Sequence, residues 1–394
     1  MKLKPVLICV QPTMKYFAWQ IEVMLTNFKE LGLHNHFKIE ILFAYNNTLD
    51  TCKNDISWGR AVEDNFRDVA SFFYYNDTRE NIAYISSIRP HILKKHFKEC
   101  PELKERTIFY HDCDILFTNF PEFILNLSDD DNNWYVSDTK SYIGYNYIKS
   151  KGDDVLDAMC KIVGIHPEFV KEREEQSGGA QYILKGVDWM FFDKMERDCE
   201  NLFRNITQLN HQKKQADPTH HELQIWCADM WAMLWNGWLR GYQTNIIPEM
   251  DFCWATDSIE KYEQKYIFHN AGVTDSLKEQ IFFKGDYRDK IPYAITDTYD
   301  QSKASYKYFQ VLKSVKDSKL PVKEVFENLV ASYPPDVLKD EMKEKAQERL
   351  KICISCEQFH NVNGHYRCNK CGCSTKAKVF MGGQNDCPEA KWII

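Results

Sequence analysis

The chain has 394 residues, more than one domain of typical size, so one large domain with an appendage is the first expectation. Hydrophobic residues make up 44% and aromatic residues 14%, enough to bury a substantial core, and the formal net charge of -7 excludes a generic polyanion binder while leaving room for a local basic surface. Ten Trp, 21 Tyr and 24 Phe suit core packing first, and stacking on rings or sugars second.

The N-terminal apolar run "PVLICVQP" (5–12) is too short for a signal-peptide core and reads as a first strand ended by Pro12. "YFAWQIEVMLTNFKELGL" (16–33) has helical spacing and stops at Gly32, and "KIEILFAYN" (38–46) is a second strand. "NIAYISSIRPHILKKHFKECPEL" (81–103) is mostly helical, and "RTIFYHDCDILF" (106–117) is a third strand. Strands alternating with helices imply an α/β fold, a mostly parallel sheet covered on both faces. Ligands of such sheets bind beyond the carboxyl ends of the strands.

An Asp- and Asn-rich loop (127–134) leads into the strand "WYVSD". The Gly178-Gly179 pair of "QSGGAQYILKGVD" lets backbone approach a ligand or another strand. "HELQIWCADMWAMLWNGWLRGY" (221–242) is helical with an aromatic face, and "NIIPEMDFCWAT" and "KYIFHNAGVT" are late strand–loop units. From about Tyr299 the composition shifts to charged helices, and "DVLKDEMKEKAQERLKI" (336–352) runs into a cysteine cluster. The expected organisation is a main domain over 1–298, a helical linker over 299–350 and a Cys-rich module over 351–394. No window approaches a membrane span. The patterns at Asn76-Asp77-Thr78 and Asn205-Ile206-Thr207 fit glycosylation acceptors, but no secretory signal accompanies them.

Asp112 and Asp114 stand one residue apart at the end of the third hydrophobic run, in "YHDCDILF". On a strand, alternate side chains share a face, so both carboxylates can converge on a divalent cation that cancels their repulsion. D-x-D is a common pattern, and a solvated loop is the alternative. His269 ends the apolar run of "YIFHNAGVT" and is a candidate third ligand, with Gly272 leaving room for a phosphate; a lone His is otherwise an ordinary core or loop residue. Asp229 lies among large apolar residues in "IWCADMWAMLW", where burial would raise its pKa, so it is a candidate general base; a structural hydrogen-bonding role is the alternative. Trp226, Trp231 and Trp235 are candidates for stacking, with core packing expected for at least two of them.

These residues resemble the nucleotide-sugar-dependent glycosyltransferases of the GT-A fold. In that family a strand-end D-x-D holds a metal on the donor diphosphate, and glycogenin-like members close the site with a late H-x-x-G…K. The resemblance makes "YHDCDILF" the D-x-D and "HNAGV" the late motif, with Mn²⁺ or Mg²⁺ bound by Asp112, Asp114 and His269. It implies diphosphate contacts from Lys284 in "FFKGDY" and from Arg89 in "ISSIRPHIL". "SGGAQYILKGVD" looks like the segment lining the donor sugar, which brings in Gly178, Gly179 and Gln181, and Tyr45 falls where the family stacks the donor base. "ADMWAMLW" and "SGGAQYI" are also similar to motifs of hydroxyproline arabinosyltransferases and serine galactosyltransferases. The resemblance spans roughly residues 3–295 in the family's order, and it departs at Cys113 and in lacking the Pro-Trp that follows the family's Lys. It implies transfer from a nucleotide sugar, a UDP-sugar first, to a hydroxyl acceptor: a hydroxylated base of phage-type modified DNA, a protein side chain or a glycan. If configuration is retained, Asp229 would position the sugar rather than act as base.

Fourteen cysteines divide into eight single ones from Cys9 to Cys253 and six from Cys353 to Cys387. That distribution suggests a cytoplasmic enzyme with ordinary thiols, followed by a metal module. Two C-x-x-C pairs, Cys353/Cys356 and Cys368/Cys371, have the spacing of a structural Zn²⁺ ribbon, with Cys373 and Cys387 as alternative ligands. Lys370, Lys376, Lys378 and Lys391 make the module mildly basic, compatible with phosphate contacts. Two readings from other classes are a catalytically inactive transferase-fold adaptor that binds nucleic acid or protein through the module, and a divalent-metal nuclease or phosphotransferase. The latter needs further acids near the metal.

Overall fold

The apolar runs of the first third become strands of one sheet. In the computed structural model, residues 3–46, 56–127, 133–295, 298–318, 326, 329–331, 333–334, 337–354, 356, 358–362, 365–381 and 387–392 are described. Strand β1 (Val6–Pro12) is buried at every position, as a strand covered on both faces must be. It pairs in parallel with β2 (Lys38–Tyr45) and with β4 (Ile108–His111), and β2 pairs in parallel with β3 (Ser71–Asn76). With β6 (Asn133–Asp138), β7 (Gly178–Leu184) and β8 (Gln243–Ile246) the sheet has seven strands in the order β3-β2-β1-β4-β7-β6-β8. Only β7 runs against its neighbours, so the expected mostly parallel α/β sheet is what forms.

Helix α1 (Lys15–Glu30) buries its apolar stripe on one face and ends ahead of Gly32, whose φ of 68° is the left-handed turn the sequence signalled. Helix α3 (Ile88–Glu99) covers the other face together with the long helix Trp189–Ala216 and the helix Ala228–Leu239. Asp188 caps the long helix, its carboxylate accepting from the Phe191 N–H at 3.1 Å. Trp231 and Trp235 are fully buried in this layer, as expected of at least two of the three tryptophans.

A smaller sheet of β5 (Ile115–Phe117), β10 (Ile267–His269) and β9 (Phe252–Trp254) sits beside the first. The helix Ser305–Ser318 packs on α1, where Tyr308, Leu312 and Val315 join Trp19, Val23 and Phe282 in one core, so it buries an apolar face on the main body. Farther on, Ala346 and Leu350 of the helix Asp340–Ile354 meet Val379, Phe380 and Trp392 in a separate core. The hairpin of β11 (Phe359–Val362) and β12 (His365–Cys368) belongs to this part, and β11 packs against the helix α2 (Ile56–Phe66).

Several boundaries differ from the sequence reading. The expected helix over 81–103 is α3 flanked by short 3-10 turns at Ile85–Ser87 and Pro101–Glu105. The helix expected over 221–242 begins only at Ala228. Strand β3 went unread because "SFFYYN" shows no clean alternation: its partly buried residues sit at the sheet edge. Much of the Asp/Asn-rich loop, at 128–132, lies outside the described residues.

Candidate active site

The expected third strand is two strands in different sheets. β4 ends at His111 in the large sheet, β5 starts at Ile115 in the small one, and Asp112-Cys113-Asp114 is the turn between them. The premise of side chains alternating along one strand is therefore corrected: a change of sheet, not strand pleating, aims both carboxylates. β5 pairs antiparallel with β10 in a register that sets His269 opposite Ile115, and the Asn270 N–H donates to the Asp114 carbonyl at 2.9 Å. Backbone pairing thus carries the imidazole to the two carboxylates.

Asp112, Asp114 and His269 each offer a ligand atom within 4.8 Å of the others, and they are the one such group of three among the described residues. His269 Nε2 lies 3.6 Å from Asp112 Oδ2 and 3.4 Å from Asp114 Oδ1. These separations are long for hydrogen bonds and suit atoms sharing an ion. Two hard carboxylates and an imidazole fit a divalent cation of the Mg²⁺ or Mn²⁺ kind. The ring of His269 is held by Trp254, near-parallel with centroids 6.0 Å apart, and by the edge of Phe252 at 5.3 Å. At Gly272 (φ 84°) an added methyl would come 3.2 Å from Trp254, so the glycine leaves room for that ring.

Two cations complete the charge pattern. Lys284 pairs with Asp114 Oδ2, and Arg89 reaches Asp112 Oδ1 through Nη2 at 2.9 Å and Asp229 Oδ2 through Nη1 at 3.4 Å. Burial alone would raise the Asp114 pKa, but Lys284 and His269 outweigh it and hold the carboxyl well below its usual range. Burial likewise disfavours charged Arg89 and charged Lys284. Asp112, Tyr110 and Asp229 around Arg89, and Asp114 and Tyr16 around Lys284, reverse that and push both pKa values up. For Asp229 burial prevails over Arg89 and Tyr84, and its carboxyl is raised, as its apolar sequence setting implied.

These groups line one cavity of about 320 Å³ at the carboxyl ends of β1 and β4. Arg89, Asp112, Asp114, Asp229, His269 and Lys284 all face it. Tyr45, Gly178, Gly179, Gln181 and Gly272 are not among its lining. Gln181 is sealed in the sheet, with Oε1 accepting from the Ser137 hydroxyl at 2.9 Å. Gly178 is a strand-packing glycine: an added methyl would lie 2.4 Å from Val136 Cγ2 and 2.6 Å from the Ser137 carbonyl. From this segment it is Ala180, at φ 67° beside the register shift between β6 and β7, and Tyr182 that reach the cavity.

Sequence reasoning missed Tyr84, Tyr142 and Trp254, which also line it. The Tyr84 hydroxyl lies 2.6 Å from Asp229 Oδ1 and 2.6 Å from the Trp226 carbonyl oxygen. Only the proximity of Tyr84 to Arg89 in "YISSIR" could have hinted at it.

In the C-terminal part, Cys353, Cys356, Cys368 and Cys387 line a separate cavity of about 30 Å³ with Phe359 and Trp392. Cys371 is exposed and outside that lining; its sulfur is 3.2 Å from Lys378 Nζ, and that of Cys373 is 3.9 Å from the same atom. The four lining thiols are not drawn together to the 4.8 Å spacing of the Asp112 group.

No protein-family model and no curated protein sequence matches the chain. Solved structures that resemble it loosely include the galactosyltransferase LgtC in complex with donor and acceptor sugar analogs, at 12% identity over 80% of this chain and 97% of that one, with a TM-score of 0.39. The apo-form glycosyltransferase GlyE of Streptococcus pneumoniae TIGR4 aligns at 11% identity over 86% of this chain and 66% of its own, TM-score 0.37. The bifunctional glycosyltransferase WbbM aligns at 11% over 72% and 48%, TM-score 0.38. Scores this low add nothing to what the strand order already shows about the fold. No described helix is long and apolar enough to cross a membrane.

Proposed function

We propose that the chain is a metal-dependent glycosyltransferase of the GT-A type that moves a sugar from a nucleotide sugar, a UDP-sugar first, to a hydroxyl acceptor. The observation that carries this is the convergence of Asp112, Asp114 and His269 from two sheets on one cavity that Arg89 and Lys284 also enter. A nuclease or phosphotransferase would want more acids beside the ligands, whereas the nearest added charges here are cations.

Transfer breaks the bond between the anomeric carbon and the diphosphate oxygen and forms one from that carbon to the acceptor oxygen. A divalent cation held by Asp112, Asp114 and His269 would supply Lewis-acid stabilisation of the leaving diphosphate. Lys284 and Arg89 are fixed cations whose carboxylate partners orient them toward the same charge. Asp229 takes the acceptor proton if configuration inverts, and Arg89 and Tyr84 fix the direction of its carboxylate. If configuration is retained, the same carboxylate holds the donor sugar. Gly179 and Gly272 are left with indirect roles, making room for Tyr182 and Trp254 of the cavity wall, and Tyr45, Gly178 and Gln181 lie outside its lining.

We further assign a structural Zn²⁺ to the C-terminal module, held by Cys353, Cys356, Cys368 and Cys387 in place of the Cys371 expected from spacing. Support comes from the shared lining of those four thiols, and sulfur donors suit zinc. Such an ion would stabilise the residues after about 351, whose small core is shared with the helix Asp340–Ile354.

The test is thermal stabilisation of the purified protein by a panel of nucleotide sugars, with and without Mn²⁺. A metal-dependent shift with one donor, lost in Asp114→Ala, is the expected result. Folded, zinc-loaded protein that shifts with none would move the reading to an inactive adaptor working through the zinc module.

A further inference from the structure

We propose that the acceptor is an oligosaccharide, bound across two adjoining cavities that share Trp226 in their lining; this rests on the glycosyl-transfer reading. The first cavity is the one around Asp112 and Asp229. The second is an open groove of about 730 Å³ beside it, and Trp226 lines both.

Size comes first. At about 320 Å³ the inner cavity is at the low end for a site holding one drug-sized ligand, roughly 300–1,000 Å³. A cavity of that size cannot also hold a long acceptor chain, and the groove that shares Trp226 with it is the adjoining space open to one. The metal ligands and Lys284 mark the diphosphate side, while Trp226 lies three residues from Asp229 in the turn that opens the helix Ala228–Leu239.

Trp226 is 59% exposed, although Trp231 and Trp235 of the same segment are fully buried. Leaving an indole in water forgoes the gain of burying a large apolar ring. Its placement is nonetheless fixed, because the Tyr84 hydroxyl donates to its carbonyl and Tyr142 lies near-parallel to it, 22° apart with centroids at 6.4 Å. A fixed, flat, half-wetted ring suits a sugar, whose C–H face is apolar and whose rim is hydroxyl.

Charge then separates a glycan from a phosphate backbone. Two lysines line the groove, but Lys214 Nζ donates to the His220 carbonyl at 3.0 Å and Lys151 Nζ lies over the Tyr147 ring at 5.0 Å. Glu222 shares the lining. A nucleic-acid track needs a run of cations free to neutralise phosphates. This groove offers mixed charge with hydroxyl and imidazole edges, including Thr207, which fits a polyhydroxyl chain.

The experiment uses the full chain on an array of neutral malto-, cello- and chito-oligosaccharides of one to six residues, with a DNA duplex and an unglycosylated peptide as comparators. Donor-induced thermal shift is measured on the same preparations. The expected result is that at least one series binds better from two residues upward than its monosaccharide. That gain falls about tenfold in Trp226→Ala and in Thr207→Arg, which blocks the outer groove, and is recovered in Trp226→Phe. If donor stabilises the protein while chain length brings no gain, or the gain survives Thr207→Arg, or only DNA or peptide binds, the acceptor proposal alone is overturned. If neither donor nor any glycan binds, the transferase reading falls with it.

Discussion

The hydroxyl of Tyr84 stands 2.6 Å from Asp229 Oδ1 and 2.6 Å from the carbonyl oxygen of Trp226. A phenol has one proton to give, and the Asp229 carboxylate and the Trp226 carbonyl, both acceptors, share it. Burial, the larger effect, raises the Asp229 pKa, while that donation favours the ionised carboxylate. Removing the hydroxyl leaves a buried carboxyl and a carbonyl short of a donor, a cost of about 1–3 kcal/mol. Tyr84→Phe should melt earlier than wild type and lose about tenfold in transfer rate, read by thermal denaturation and by product formation.

A base that takes the acceptor proton must be ionised. Burial has moved the Asp229 carboxyl above its ordinary range, so its ionised fraction, and with it kcat, rises as pH rises through that raised value. Asp229→Asn should be slow and lack this acidic limb. Stability runs the other way: a carboxyl that holds its proton more tightly folded than unfolded contributes less stability as pH rises through the same range. A kcat profile of the wild type without that limb would remove Asp229 from the base role.

Asp114 is tied to both His269 and Lys284. Breaking a buried pair strands the remaining charge, and with Lys284 a quarter exposed the cost is about 2–3 kcal/mol, below that of a fully buried pair. Asp114→Asn should therefore lower the melting temperature even without metal, and it should also abolish the extra shift from Mn²⁺ plus donor. His269→Ala should lose the metal-dependent shift with Lys284 still paired. A chelator should reproduce the loss in the wild type.

Gly178 makes a test independent of chemistry. A methyl there would come within 2.4 Å of Val136 Cγ2 and 2.6 Å of a backbone oxygen, with no flexible chain end to yield. Gly178→Ala should destabilise by about 1–3 kcal/mol. If it melts like the wild type, the close approach of β7 and β6 is wrong.

Much of this was legible before any coordinates. The runs that became β1, β2 and β4 are continuous and apolar because both faces of those strands are covered, and Asp112, Asp114, His269, Lys284, Arg89 and Asp229 do reach one cavity. Residues that act through their surroundings were not legible. Gln181 and Gly178 sit in the right motif, yet a hydrogen bond to Ser137 and the closeness of β6 turn them into sheet residues. Tyr84 and Tyr142 look like any other tyrosine until the chain brings them beside Asp229 and Trp226. The split of the third strand was hidden too, since a hydrophobic run carries no mark of the point where it changes sheets.

That split sets an order of events during synthesis. The large sheet draws its strands from residues up to Ile246, but the partners of Asp114 arrive later, Lys284 lying 170 residues downstream. Contacts so distant in sequence are among the slowest to form. A nascent chain can therefore hold a nearly complete sheet while its two aspartates still repel each other in an open turn. The two carboxylates and the imidazole therefore come together late, and a fragment ending ahead of Ile267 would lack His269 and Lys284 beside them.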